Sequence, residues 1–363
     1  MKSEIIDSKD LKNNPVFGQL SFNNHEQIVF CNDEDTGLKA IIGIHNTALG
    51  PALGGTRMWQ YKSEGEALND VLRLSRGMTY KAAITGLNLG GGKAVIIGDA
   101  KTQKNDALMR KFGEFVNSLS GKYITAEDVG METRDMDIIK EVTPHVTGVS
   151  ESLGGSGNPS PITAYGVYMG MKAAAKYKFG TENLAGKKIL IQGIGHVGET
   201  LINYVTKEGA QVVLNDINEE RLEFLSKKYN ANVVLGSDIY GLDVDIYAPC
   251  ALGATINDFS LSKLKAKVIA GAANNQLADE IKHGYLLKEK GIVYAPDFLI
   301  NAGGIINVYS EIAGYKKDEI LRKTENIYNT TLEILKLSEK ENITSHQAAF
   351  NIAQSRIDAR KKE

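Results

Sequence analysis

Ala67, Val71, Leu74 and Met78 recur at three- and four-residue spacing, which puts them on one face of a helix, and Ser63 followed by Glu66 supplies a capping-box start. Gly77 and the β-branched Thr79 predict that this helix ends just before Lys81. Around it, short apolar runs read as strands: GLKAIIGIHN (37–46), AVIIGD (94–99) and YITA (123–126). From about residue 150 the pattern becomes a regular alternation of short β-branched runs with longer amphipathic stretches, the mark of β-α-β units on a parallel sheet. The expected strands are KKILIQ (187–192), QVVLND (211–216), ANVV (231–234), VDIYAP (244–249), KVIAGA (267–272) and GIVYAP (291–296). A long helix over roughly 317–339 and a terminal helix over 345–360 complete the chain.

At 363 residues the chain exceeds one ordinary core, so two domains with a cleft between them are expected. The fold class is α/β: an N-terminal α/β domain over 1–148, a Rossmann-type doubly wound domain over 149–340, and a C-terminal helical segment, 341–363, that returns to the first domain. Charge is nearly balanced, 42 basic against 44 acidic residues, which argues against a nucleic-acid or membrane-surface partner. Cys31 and Cys250 match no metal-ligand or redox spacing, and no metal site is expected. The start of the chain has no apolar export segment and no run reaches the roughly 18–20 apolar residues of a membrane helix, so a cytoplasmic location is expected.

Gly193, Ile194, Gly195, His196, Val197 and Gly198 form a GxGxxG that directly follows the strand KKILIQ and opens an amphipathic stretch. That context gives the pattern its meaning: a tight turn, a close approach of pyrophosphate to backbone, and a close helix–strand contact. Free N–H groups at the helix start then face the phosphates. Asp216 ends the next strand, 23 residues after Gly193, where a carboxylate accepts the ribose hydroxyls and repels a 2′-phosphate, which favours NAD over NADP. Arg221, five residues further, is expected to face solvent.

A second glycine-rich segment, Gly86 to Lys93 (GLNLGGGK), lacks phosphate-loop spacing. Its three successive glycines suggest close approach of a planar group, with Lys93 in the same space and Lys81 twelve residues earlier able to share it. Like charge and burial depress lysine basicity, so one lysine can act as a base while the other binds a carboxylate. Asp128, after YITA, can accept a proton from an amino group. Any one of these charges taken alone reads as a solvated surface group; the shared glycine-rich setting is what favours a site.

The segments GPALGGTRM (50–58), RGMTYKAA (76–83), GLNLGGGKAVI (86–96), YITAEDVG (123–130), SGNPSPITAYGV (156–167), APCALGATIN (248–257), AANNQL (272–277) and NAGGIINV (301–308) resemble, in order, the signatures of the leucine dehydrogenase family. That family lies within the glutamate, leucine, phenylalanine and valine dehydrogenase superfamily. The resemblance implies an NAD-dependent oxidative deamination of branched aliphatic L-amino acids, with Lys93 activating water, Lys81 binding the α-carboxylate and Asp128 moving the amino-group proton. It places Asn275 and Asn301 near the nicotinamide and substrate, assigns substrate binding and oligomerisation to the first domain, and implies a homo-oligomer, commonly an octamer. The side-chain pocket is expected to be lined by Leu53, Gly54, Ala126, Ile305 and Val308. Two departures stand out: residues 1–24 have no clear counterpart, and Ile305 is bulkier than the common residue, which would trim the pocket.

Three other functions compete. Glutamate dehydrogenase shares the lysines and the aspartate, but Leu53 stands where that pattern carries a lysine. Phenylalanine dehydrogenase shares the apolar position. A non-catalytic dinucleotide-binding regulator would be marked by loss of Lys93 or Asp128, and both are present.

Overall fold

The computed structural model describes residues 16–18, 21–236 and 238–360; most of the expected N-terminal extension lies outside them. The chain divides into two compact units, one holding the described residues up to 157 with 308–314 and 353 onward, the other holding 158–307 and 315–352.

The first unit is built from β1 (Gln27–Asp33), β2 (Leu38–Asn46), β3 (Ala52–Trp59), α1 (Glu64–Ile84), β4 (Gly90–Ile97), α2 (Asp106–Ser118), β5 (Tyr123–Glu127) and α3 (Thr133–Lys140). Its sheet runs β1-β2-β4-β3-β5, antiparallel on the β1 side and parallel from β4 to β5. Both faces are covered, which explains the unbroken apolar runs. Ala40, Ile42, Ile44, Ala94 and Ile96 pack with Phe112, Val116, Met136 and Ile139 of α2 and α3. Ile41 and Val95, of opposite parity, pack with Leu68, Val71 and Leu72 of α1. By the same period of two, Lys93 falls on the α1 face.

Ser63 caps α1 by accepting the Glu66 N–H at 3.1 Å, while the Glu66 carboxylate accepts the Lys62 N–H at 2.7 Å. The helix does not stop before Lys81 but continues to Ile84. Thr79 Oγ1 is 2.8 Å from His45 Nδ1, and Tyr80, Ala82, Ala83 and Ile84 are buried, so packing outweighs the weak propensities of Gly77 and Thr79. Arg356, in the terminal part of the chain, donates to the carbonyls of Ala83 (3.0 Å) and Ala82 (3.4 Å) and so places a cation at the α1 C-terminus.

The second unit contains α4 (Ser160–Phe179), β6 (Lys188–Gln192), α5 (His196–Lys207), β7 (Gln211–Asn215), α6 (Glu219–Tyr229), β8 (Asn232–Val233), β9 (Ile246–Pro249), α7 (Asp258–Lys263), β10 (Val268–Ile269), α8 (Glu280–Glu289), β11 (Val293–Tyr294) and α9 (Asp297–Ile300). After α10 (Gly303–Ala313) come α11 (Lys317–Glu325), α12 (Ile327–Glu341) and α13 (Ser345–Arg360). All six strands are parallel, in the order β11-β10-β9-β6-β7-β8, a doubly wound sheet whose winding reverses between β6 and β9. The long helix expected over 317–339 is two helices meeting at Asn326; Thr324 and Thr331 each donate to the carbonyl four residues back, a contact that bends helices.

The division also differs from the expected 148/149 and 340/341 boundaries. Residues 149–157 stay with the first unit because Ser150 N–H donates to Asp137 and Ser156 to Glu311. The first turns of α13 stay with the second, where Ser345 donates to the Tyr294 carbonyl and His346 packs on Phe298. Among the described residues no helix is long and apolar enough to cross a membrane.

Candidate active site

In the first unit, three strands and α1 bring a set of charges together. Lys93 on β4 is buried, its side chain 7% exposed, and its Nζ lies 3.1 Å from Asp128 Oδ2 at the end of β5. Burial lowers the Lys93 pKa and the Arg57 charge adds to this, while the Asp128 charge and hydrogen bond oppose it; the net shift is downward. For Asp128 burial pushes the other way, but the Lys93 and Arg57 charges and their hydrogen bonds outweigh it and hold the carboxylate below its ordinary value. The pair therefore combines a lysine eased towards its neutral form with a carboxylate kept ionised.

Strand glycines make this approach possible, and their role differs from the expected one. GGGK is the start of β4 itself, and the space a Cβ would take is filled by the protein: Asn46 O at Gly90, the Thr79 backbone at Gly91 and the Tyr123 ring at Gly92. A Cβ on Gly54 would sit 1.7 Å from Gly92 O. These glycines admit neighbouring backbone and side chains rather than a planar ligand. The Gly91–Thr79 contact also holds the end of α1 that carries the half-buried Lys81 against the start of β4.

In the second unit the GxGxxG spans the end of β6 and the start of α5. Gly193 takes φ +98°, and a Cβ there would meet Ala251; one on Gly198 would lie 2.1 Å from Gly193 O. Gly195 differs: nothing lies within 4 Å of its missing Cβ, it is exposed, and as the α5 N-cap it carries no side-chain cap. That is an open cradle beside unsatisfied N–H groups, the arrangement a pyrophosphate fits. Asp216 lies at this loop, accepting the Ile194 N–H through Oδ2 at 2.8 Å and the Asn218 N–H through Oδ1 at 2.9 Å. Arg221 does not face solvent as expected; it donates to the Ile194 carbonyl at 2.6 Å and pairs with Glu199 at 2.7 Å, so it braces the glycine loop. Asn301 is buried and donates to Asn274 Oδ1 (2.7 Å) and the Ala272 carbonyl (3.1 Å), fixing the loop in which Asn275 takes φ +51°.

Residues 25–145 match the family described as Glu/Leu/Phe/Val dehydrogenase, dimerisation domain, and residues 154–218 and 214–363 match the Glutamate/Leucine/Phenylalanine/Valine dehydrogenase family. The chain belongs to the Glu/Leu/Phe/Val dehydrogenase family. It is 54% identical to leucine dehydrogenase of Bacillus cereus over 94% of its own length and 93% of that protein's, and 46% identical to phenylalanine dehydrogenase of Lysinibacillus sphaericus over 99% and 94%. Among solved structures it is similar to L-tryptophan dehydrogenase from Nostoc punctiforme, with a TM-score of 0.84, 43% identity and coverage of 94% of this chain and 97% of that one. It is an amino-acid dehydrogenase, and the open loop at Gly195 fits the dinucleotide cofactor that this family implies.

Against the family's reaction, the expected site residues sort by unit. Lys81, Lys93, Asp128, Leu53, Gly54, Ala126 and Val308 belong to the first unit; Gly193 to Gly198, Asp216, Asn275, Asn301 and Ile305 belong to the second. Leu53, Ala126 and Ile305 are buried and Val308 is half-buried. Sequence reasoning passed over three residues at the charge cluster. Arg57 on β3 joins Asp128 (2.8 Å) to Asp70 of α1 (2.9 Å), and Tyr61 donates to Asp70 at 2.8 Å. The signal for Arg57 was present: the one charge in GPALGGTRM, in a strand whose other residues, Thr56 apart, are apolar or glycine.

Proposed function

We propose that this amino-acid dehydrogenase oxidises branched aliphatic L-amino acids, leucine with valine and isoleucine, reversibly to 2-oxo acids and ammonia, using NAD. The observation that carries the reading is the contact between buried Lys93 and ionised Asp128 at 3.1 Å, which supplies a base and a proton acceptor in one place. Lys81 binds the substrate carboxylate. Asp128 takes a proton from the ammonium group, so that the nitrogen lone pair can drive loss of hydride from Cα. NAD, held at the loop from Gly193 to Gly198 with Asp216, would supply the hydride acceptor. Neutral Lys93 then removes a proton from the water that adds to the imino carbon, Asp128 returns a proton to the nitrogen, and the C–N bond breaks as the hydroxyl proton passes to the Asp128 carboxylate, giving the 2-oxo acid and ammonia.

The cofactor choice rests on Asp216, whose charge at the loop opposes a 2′-phosphate, with Arg221 already committed to Glu199 and Ile194. Asn275 and Asn301 take the nicotinamide side, on the loop that Asn301 fixes. The choice of an aliphatic side chain rests on Leu53, Ala126 and Ile305, buried and apolar, and on the greater identity to leucine than to phenylalanine dehydrogenase. The protein is further proposed to be a cytoplasmic homo-oligomer, an octamer, which light scattering would measure. Initial rates of NADH formation over a panel of L-amino acids test the reaction: leucine, valine and isoleucine should lead. A best rate with phenylalanine would move the enzyme to the neighbouring activity, and no turnover with any amino acid would reject the reading.

A further inference from the structure

Asp128 follows the last residue of β5, so its own backbone is not held by the sheet ladder. Its carboxylate is nevertheless fixed, because two cations meet a single oxygen: Lys93 Nζ at 3.1 Å and Arg57 Nε at 2.8 Å both contact Oδ2. Oδ1 accepts no hydrogen bond among the described residues. Arg57 is itself held at the far side of its guanidinium, where NH1 donates to Asp70 Oδ2 at 2.9 Å. Asp70 is held in turn by Tyr61 OH at 2.8 Å and by Arg73 NH2 at 3.0 Å. One planar fork therefore spans from α1 to the end of β5, and a lysine cannot reproduce that double contact.

We propose that Arg57 is a positioning residue for the acid–base pair: it pins Asp128 by Oδ2 beside Lys93 and leaves Oδ1 turned to the amino group of the substrate. The inference rests on the proposed deamination and adds a residue that does not itself touch the reacting atoms. The charged and titratable groups facing Asp128 and Arg57 are Lys93 from β4, Tyr123 from β5, Asp70 from α1 and Tyr61 after β3, with Arg73 behind Asp70. Of these, Tyr61 is kept neutral by burial and by the Asp70 charge, so it acts only as a donor. Removing Arg57 takes away one of the two positive charges that stabilise the Asp128 carboxylate, and the carboxylate becomes easier to protonate.

Two variants separate charge from geometry. Arg57→Gln loses both, so kcat should fall about 10- to 100-fold through misplacement. The Arg57 charge also lowers the Lys93 pKa, so the acid limb of kcat/KM, which follows Lys93, should move to higher pH, with KM for leucine changing less than kcat. Arg57→Lys keeps the charge without the fork, so the limb should stay near its original pH while part of the kcat loss remains. An unmoved limb in a folded Arg57→Gln enzyme, or a loss confined to KM, would overturn the proposal. If Arg57→Gln does not fold, full kcat in Arg57→Lys overturns it and a kcat loss at constant limb supports it. Titration of the Asp128 carboxylate by carbon-13 NMR in Arg57→Gln needs no turnover: a raised pKa supports this inference even if the panel of amino acids rejects the reaction, and an unchanged one overturns it even if leucine is oxidised.

Discussion

Lys93 Nζ lies 3.1 Å from Asp128 Oδ2, and the lysine is the more deeply buried partner, its side chain 7% exposed against 25% for the carboxylate. Depth and charge are thus divided usefully. In the proposed mechanism the group that sheds its proton is the one that desolvation disfavours as a cation, and the group that meets the substrate is the more open one.

That arrangement predicts a pH profile. kcat/KM should rise with pH as Lys93 deprotonates, with its limb below the ordinary lysine value of 10.5. Asp128 raises the Lys93 pKa, so Asp128→Asn should move the limb to lower pH while cutting kcat by about 10²-fold or more. Lys93→Ala should lower kcat by about 10²- to 10⁴-fold and leave NADH binding, followed by fluorescence, intact. Near-normal turnover in Lys93→Ala would sink the assignment.

Cofactor preference should follow Asp216. A hydrogen bond to a charged group contributes about 1.5–3 kcal/mol, so Asp216→Ser should lower the ratio of kcat/KM for NAD over NADP by about 10- to 100-fold. Asp216→Asn keeps an acceptor for the Ile194 N–H while removing the charge, and separates repulsion of phosphate from support of the loop. Equal kinetics with the two cofactors in the unaltered enzyme would place selectivity elsewhere.

Two glycines of the same loop should respond oppositely. Gly195 has φ −62° and open space at its Cβ, so Gly195→Ala should change stability by no more than about 0.5 kcal/mol, yet raise KM for NAD. In Gly198→Ala the new methyl meets Gly193 O at 2.1 Å, and overpacking of this kind costs about 1–3 kcal/mol. Thermal unfolding alongside cofactor titration reads both; a destabilised Gly195→Ala with unchanged KM would refute the open cradle.

Side-chain selection provides a fourth measurement. Burying an unpaired carboxylate against apolar side chains such as Leu53 and Ala126 would cost several kcal/mol, so under the proposed function glutamate should be disfavoured by about 10³-fold or more. Leucine and valine differ by one methylene, about 0.8 kcal/mol when buried, and should fall within about one or two orders of magnitude of each other. Ile305→Ala should improve phenylalanine relative to valine. Glutamate oxidised as well as leucine would require a cation that this assignment lacks.

Much of the fold is legible along the chain because its signals are local. Ser63 and Glu66 mark the start of α1, six β-branched runs mark the parallel sheet, and a GxGxxG with Asp216 at the next strand end marks the dinucleotide loop, since helix caps, strand alternation and tight turns are set by residues a few positions apart. The lysines and the aspartate could be picked out from their glycine-rich setting, and family resemblance supplied their roles. The contacts that organise them could not be read this way. Arg57 reaches Asp128 and Asp70 only because β3 lies beside β5 and beneath α1. Arg221 turns to the Ile194 carbonyl only because α6 lies against the β6–α5 loop. The run Gly90 to Gly92 reads as an opening for a ligand until Asn46, Thr79 and Tyr123, from three other segments, fill it. Such contacts join residues far apart in sequence, and their partners are chosen by strand register and helix packing, which no short-range pattern encodes.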